Sequence, residues 1–112
     1  GMKSLKYLAW IRTKQCCVCG KHSEPHHLKR IGMGRNRKKD LVEHYTAVPL
    51  CRSHHEQAHR SKDYEKKFWK VAIINIVEGE KMDWDVNLLK VATLLLAEWT
   101  WSEFSGKRGY YW

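Results

Sequence analysis

The side chains best suited to metal chemistry lie close together in this sequence. All four cysteines and all seven histidines fall between Cys16 and His59, interleaved with Lys and Arg residues. Thiolate and imidazole groups are the ligands that transition metals such as zinc prefer. The segment therefore indicates metal-assisted chemistry, and its basic residues indicate a phosphate polymer as the partner.

Two short motifs in this segment have the spacing of zinc knuckles. Two residues separate Cys16 from Cys19, and Cys51 and His54 repeat that gap later in the chain. This gap lets both side chains of a knuckle reach one tetrahedral ion. Together the two knuckles predict a closed Cys3His site for structural zinc.

The spacing leaves two of these ligands open. Cys17 could replace Cys16, and His55 could compete with His54, although the two-residue gap favours Cys16 and His54. The alternative is that the cysteines are reduced core residues, which are common in cytosolic proteins. Three of the four lie in a polar knuckle, and this favours zinc over a core role or a disulfide.

A strand–loop–strand–helix pattern surrounds the knuckles. Residues 25–28 fit a first strand, and residues 45–50 alternate as a second strand that pairs back on it. Ser53 and Glu56 have the spacing of a capping box, which predicts a helix starting just after Arg52.

Four histidines occupy this pattern at informative offsets. His26 and His27 are adjacent on the first strand and point to opposite faces, so one can bind a metal while the other faces a substrate. His55 and His59 are one turn apart on the helix and can bind the same ion. A lone histidine is usually a surface residue or a spare ligand, but four at these offsets favour a second metal site.

Helices are predicted on both sides of this pattern. One covers roughly residues 4–14, and another follows a break at Ser61 and ends at Gly79. Three tryptophans fall on apolar helical lines, which favours core packing over base stacking: Trp69, Trp84 and Trp99.

The last predicted helix is apolar on most of its surface. It is capped by Asp83 or Asp85 and ends before Gly106. With so little polar face, it is either buried on two sides or presented to a partner, as in a homodimer or a complex with another protein. The whole chain, 1–112, is predicted to form one domain.

The charge of the chain is uneven. Its net charge is +9, and the first 70 residues carry 17 of the 21 Lys and Arg but 6 of the 12 Asp and Glu. Because the basic half is also the half with the metal ligands, we expect a polyanion at the metal sites. No secretory signal or membrane span is expected, since residues 2–11 lack an apolar core and the apolar stretch 86–101 contains charged residues. This predicts a cytoplasmic protein with reduced thiols.

The histidine pattern resembles the HNH endonucleases in their zinc-bound version. The matching motifs are Pro25-His26-His27-Leu28, Val48-Pro49-Leu50-Cys51, and His54-His55 followed by His59. The run from Gly32 to Arg37 and the run from Leu50 to His55 are similar to small HNH proteins of bacteriophages. The resemblance covers about residues 7–60. It implies an α+β fold with a ββα-metal core and a zinc knuckle, extended by helices over about 61–105, in a phage-encoded protein of a bacterial host.

The resemblance also implies roles for individual residues. His27 corresponds to the general base that deprotonates the attacking water, and His26 to the metal ligand just before it. His55 and His59 correspond to the further metal ligands.

The middle residue departs from the family pattern. Thr46 stands where the family has an Asn that helps to orient the base. Thr46 can still form a hydrogen bond, and His44 is a substitute for the same role.

Three imidazoles favour a transition metal such as Zn, Ni, Co or Mn over Mg as the catalytic ion.

The loop between the strands has no acidic residue over 28–39, and Gly32 and Gly34 allow its backbone to approach a ligand. We expect it to contact DNA phosphates. Its basic residues are Lys29, Arg30, Arg35, Arg37, Lys38 and Lys39.

Two functions follow from the sequence. The first is a metal-dependent HNH endonuclease that hydrolyses DNA. The second is a zinc-stapled nucleic-acid-binding or adaptor module without catalysis, in which Thr46 marks the lost activity.

Overall fold

The computed structural model describes residues 3–28, 42–82 and 88–109, with side chains over 4–28, 44–82, 88–97 and 99–100. In chain order the elements are α1 (Lys3–Arg12), β1 (Glu24–His26), a short 3-10 helix (Val42–Thr46), β2 (Val48–Leu50), α2 (Arg52–Arg60), α3 (Lys62–Lys66), α4 (Trp69–Gly79) and α5 (Leu88–Gly109). The architecture is mixed α+β, with one two-stranded sheet and several helices in the described residues, as predicted at that level.

The two strands pair antiparallel and are short. Glu24 lies opposite Leu50 and His26 opposite Val48, which places Pro25 opposite Pro49. Proline has no N–H, so this central pair suits the non-hydrogen-bonded position of an antiparallel ladder. The predicted second strand over 45–50 is therefore too long, because the residues up to Thr46 form the 3-10 helix instead.

The strand β2 leads directly into α2 with Cys51 as the N-cap residue. The helix starts at Arg52, so Ser53 lies inside its first turn and the predicted capping box is wrong. The break predicted at Ser61 is present. Its extended backbone ends α2, and its hydroxyl accepts a hydrogen bond from the Tyr64 N–H at the start of α3.

The core lies between α1, β2, α4 and α5. From α1, Tyr7 and Ile11 are fully buried, and the Tyr7 ring meets Tyr45 edge-on at 5.3 Å between ring centroids. At the end of α4, a Cβ on Gly79 would stand 3.2 Å from atoms of the Tyr7 and Trp10 rings. The glycine predicted to end this helix therefore also allows α4 to approach α1 closely.

The last helix α5 buries one face. Leu88, Val91, Ala92 and Leu95 are buried, while Leu89, Leu94 and Leu96 are about half exposed. It continues to Gly109, past the predicted end, because a single glycine weakens a helix by only about 1 kcal/mol and does not necessarily end it. Trp69 is buried and Trp99 packs against the edge of the core, in line with prediction.

Several predicted positions lie outside the described residues: Trp84, the capping candidates Asp83 and Asp85, and the basic side chains Lys29, Arg30, Arg35, Arg37, Lys38 and Lys39. Within the part of the chain that is described, no helix has the length and apolar character needed to cross a membrane.

Candidate metal centres

The two predicted zinc knuckles meet at one point. The ligand atoms of Cys16, Cys19, Cys51 and His54 all lie within 4.8 Å of one another. The Cys19 and Cys51 sulfurs are 3.7 Å apart, and His54 Nδ1 lies 3.6 Å from Cys16 Sγ and 3.1 Å from Cys51 Sγ. Tetrahedral zinc with ordinary bond lengths requires about 3.8 Å between two sulfurs and about 3.6 Å between sulfur and nitrogen. This cluster could therefore hold a metal ion such as zinc.

The backbone of the first knuckle explains why its two cysteines converge. Gly20 has a φ of +76°, a left-handed conformation that favours glycine. Its N–H donates to the Cys16 carbonyl at 2.8 Å, and the Cys16 N–H donates to the Lys21 carbonyl at 2.8 Å. This tight turn brings Cys19 back beside Cys16. The second knuckle uses Cys51 and the first turn of α2.

The structure selects Cys16 over Cys17 for the cluster. Burial favours the neutral thiol of Cys16, but backbone N–H groups of the two knuckles and the His54 ring lower its pKa to about 6. Cys17 is exposed as a residue, yet desolvation of its thiol, reinforced by the Cys16 charge, raises its pKa to about 11. Because zinc binds the thiolate, Cys16 is the better ligand of the two.

A second group brings together His26 from β1 with His55 and His59 from α2. The ring centroid of His26 is 4.8 Å from that of His55 and 5.0 Å from that of His59, and the two helical rings are 4.6 Å apart. One nitrogen from each ring lies within 4.8 Å of the others. His26 is buried, His55 is half-buried and His59 is exposed, so the group opens toward solvent on the His59 side.

The ring of His26 supplies a direct test of whether this group suits a metal. Its Nε2 lies 2.9 Å from Glu65 Oε2, and its Nδ1 is buried with no hydrogen-bond partner among the described residues. A buried polar nitrogen without a partner is costly, and it calls for an explanation such as an ion. A cation shared by the three imidazoles would satisfy this nitrogen, so these residues fit a divalent metal.

The ring of His55 is also held by a carboxylate. Its Nδ1 lies 2.7 Å from Glu24 Oε1, and Glu24 is paired in turn with Arg52, whose Nε is 3.2 Å away. This contact leaves Nε2 as the nitrogen through which His55 can bind a metal. Histidine ligands of metals commonly bind a carboxylate in this way through their second nitrogen.

The residue predicted to be the base, His27, is half-buried and lies directly after β1, which ends at His26 and not at the predicted residue 28. Its Nε2 lies 2.9 Å from His44 Nδ1, so one of these nitrogens carries the shared proton. Thr46 is buried, and its hydroxyl accepts a hydrogen bond from the Leu28 N–H at 3.1 Å. The two candidates for the orienting role therefore act on different groups: His44 contacts the ring of His27, and Thr46 fixes the backbone directly after it.

Comparison with known proteins assigns the chain to a family. A family model described as "Protein of unknown function (DUF968)" matches residues 1–77. The chain belongs to the DUF968 family. The uncharacterized protein YdfU of Escherichia coli (strain K12) is 38% identical to it over 55 residues, which are 48% of this chain and 15% of that protein. The chain thus covers a small part of this relative's length. No solved structure matches the chain.

The region matched by the DUF968 model includes both candidate metal groups and two carboxylates that sequence reasoning missed. Glu24 lies two residues before His26, on the same face of β1, and this period of two could have revealed it. Glu65 lies on a different helix, 39 residues after His26. An isolated acidic residue in a helix is usually exposed, so no local pattern indicates this contact.

Proposed function

We propose that this member of the DUF968 family is a metal-dependent HNH endonuclease that hydrolyses phosphodiester bonds of DNA. In this proposal His26, His55 and His59 hold the catalytic divalent ion, and His27 is the general base. Zinc in the Cys3His cluster stabilises the fold. The resemblance to bacteriophage proteins makes the cytoplasm of a bacterial host its expected place of action.

Two observations carry this proposal: the three imidazoles converge, and one of them, His26, has a buried Nδ1 without a partner among the described residues. The order of elements supports it, because the paired strands β1 and β2 lead directly into α2. One strand then contributes His26 and the helix contributes His55 and His59, as the resemblance to a ββα-metal core implies.

The chemistry assigns distinct tasks to these residues. When bound, the divalent ion supplies positive charge for the phosphate and for the oxygen that leaves. His27 in its neutral form takes the proton of the attacking water, which histidine can do near neutral pH. The contact with His44 orients the imidazole of His27, and Thr46 holds the adjacent backbone in place. The basic residues of the segment 29–39 bind the flanking phosphates.

A plasmid-nicking assay tests the proposal. Purified protein is loaded with zinc and then supplied separately with Mg²⁺, Mn²⁺, Co²⁺, Ni²⁺ or Zn²⁺, and its metal content is measured on the same batch. We expect nicking by the wild type, and a rate about 10²–10⁴ lower in His27→Ala at unchanged melting temperature. His22→Ala is the matched control, because His22 is an exposed histidine near the first knuckle, outside both metal groups.

Two results would contradict the proposal. Equal nicking by wild type and His27→Ala would remove His27 as the base. Binding of DNA without cutting under any of the five ions would instead favour the second function, a zinc-stapled binding module.

A further inference from the structure

One carboxylate of α3 reaches the buried histidine of the second metal group. Glu65 Oε2 lies 2.9 Å from His26 Nε2, and the two side chains are 1% and 0% exposed. Burying a carboxylate costs considerable solvation energy, which must be offset by strong hydrogen bonds or charge pairing. This contact joins α3 to β1, and it does so at His26, the most buried histidine of the second metal group.

The backbone of α3 holds Glu65 in this position. The Glu65 N–H donates to the Ser61 carbonyl at 3.0 Å, and the Glu65 carbonyl accepts from the Phe68 N–H at 2.9 Å. The neighbouring rings of Tyr64 and Phe68 pack edge-to-face at 5.2 Å. The backbone that carries the Glu65 side chain is thus ordered, and this keeps the buried carboxylate in place.

A structural ion pair alone does not explain the other side of the His26 ring. If the pair served only to join two elements, the second ring nitrogen would need its own partner to avoid an energetic penalty. Nδ1 is buried and has no partner in the described part of the chain. The ring is therefore satisfied at Nε2 and unsatisfied at Nδ1, and the rings of His55 and His59 lie within 5.0 Å of it between centroids.

We propose that Glu65 is a positioning residue for the catalytic metal. It accepts a hydrogen bond from the Nε2–H of His26, so the proton stays on Nε2 and the lone pair of Nδ1 faces the point shared with His55 and His59. A carboxylate in this position also makes the imidazole a stronger ligand. The inference rests on the proposed function, because it assigns Glu65 a part in the same metal site.

Metal titration separates this role from a merely structural one. Co²⁺ is added stepwise to the wild type, to Glu65→Gln and to Glu56→Gln, so that the first equivalent fills the Cys3His cluster and folds the chain, and calorimetry then measures the affinity of the second site. The thiolate-to-cobalt absorption band reports the Cys3His cluster and not a three-histidine site. Glu56→Gln is the matched control, because Glu56 is exposed on α2 between His55 and His59.

In Glu65→Gln, we expect the affinity of the non-thiolate site to fall about 10–100-fold, with the thiolate site unchanged. Glutamine is nearly the same size but can accept or donate, so it no longer determines which nitrogen of His26 bears the proton. Glu56→Gln should match the wild type at both sites. If both proteins bind two ions and the affinity of the non-thiolate site is the same in Glu65→Gln as in the wild type, Glu65 has no role in metal binding, and the proposed metal site itself stands. A single bound ion in the wild type, held by thiolates alone, would instead remove the site itself.

A measurement on the unaltered protein tests the same inference without any substitution. Long-range ¹⁵N–¹H spectra of the zinc-loaded chain, with labelled histidine, distinguish a metal-bound ring nitrogen from a protonated one. The expected result for His26 is zinc on Nδ1 and a proton on Nε2. Coordination through Nε2 would overturn the inference, because that nitrogen would then be unable to donate to Glu65.

Discussion

Cys16 and Cys17 are neighbours in the chain but have different environments. The sulfur of Cys16 lies with those of Cys19 and Cys51, whereas Cys17 is exposed and its backbone N–H donates to the Pro49 carbonyl at 3.0 Å. That contact ties the first knuckle to β2 through the main chain, so the identity of the side chain at Cys17 matters little for it. Cys17 therefore offers a matched control for the substitution of a cysteine in the cluster, such as Cys19.

Cys19→Ser should release zinc and unfold the domain. Binding of structural zinc contributes about 10–16 kcal/mol in small zinc domains, as much as the whole stability of a typical domain. Cys17→Ser should keep one zinc ion at the thiolate cluster and a melting temperature within a few degrees of the wild type. Thermal melting and zinc content check both variants. A Cys19→Ser protein with the wild-type melting temperature would show that the cluster is not structural.

His27 lies beside the 3-10 helix that carries His44 and Thr46. The neighbouring positions His44 and Thr46 were alternatives for one role, but the 3-10 helix presents them to different groups. His44 meets the ring of His27, and Thr46 meets the backbone of Leu28. In the proposed mechanism, these two contacts do the work of the asparagine that the HNH pattern has at position 46.

At the scale of elements, Ser61 separates two helices that would otherwise merge. Its φ of −133° and ψ of 120° interrupt the helical backbone, and its hydroxyl caps α3. This break redirects the chain between α2, which carries His55 and His59, and α3, which carries Glu65. The second metal group thus draws its residues from β1 and α2, and its buried carboxylate from α3.

Ser61→Ala should lower the free energy of unfolding by about 1 kcal/mol, since it removes an N-cap hydrogen bond. Ser53→Ala provides the control, because Ser53 lies in the first turn of α2 and is not its cap residue. Its effect should stay within about 0.5 kcal/mol, as for most exposed substitutions. Urea denaturation of the zinc-loaded proteins measures both. Equal losses in the two variants would contradict the assignment of the cap.

At the scale of the whole molecule, basic charge and metal ligands occupy the same part of the chain. The segment 29–39 follows Leu28 directly, and Leu28 is hydrogen-bonded to Thr46 beside the His27–His44 pair. Leu28 thus lies close to the proposed base, and the basic segment begins at the next residue in the sequence. The residues matched by the family model, 1–77, include this segment and both metal groups, whereas α5 lies beyond the match.

Replacing Arg35, Arg37, Lys38 and Lys39 together by Ala should weaken DNA binding and flatten its dependence on salt. The slope of log K against log salt is negative, and each lost phosphate contact reduces its magnitude by about 0.9 on duplex DNA. The control replaces Lys62, Lys66, Lys67 and Lys70, which removes the same charge from the helical extension. Binding isotherms at several salt concentrations measure both slopes. An unchanged slope in the first variant, or an equal drop in the control, would exclude specific phosphate contacts by the basic segment.

Features that follow short-range rules were predictable from the residues alone. The gap within each knuckle, the adjacency of His26 and His27, and the one-turn spacing of His55 and His59 are visible in the chain. Strand and helix periods translate these spacings into shared or opposite faces. The helix at the N-terminal side, the break at Ser61 and the end of a helix at Gly79 were predictable for the same reason.

The packing of the folded chain sets which of these groups meet across long separations. It placed Cys16 rather than Cys17 in the thiolate cluster, brought His44 to His27, and buried Glu65 against His26. It also made the second strand start at Val48, later than predicted, because the chain before β2 closes into a 3-10 helix. Such outcomes depend on how separate elements pack, and a local pattern of residue types carries no information about that packing.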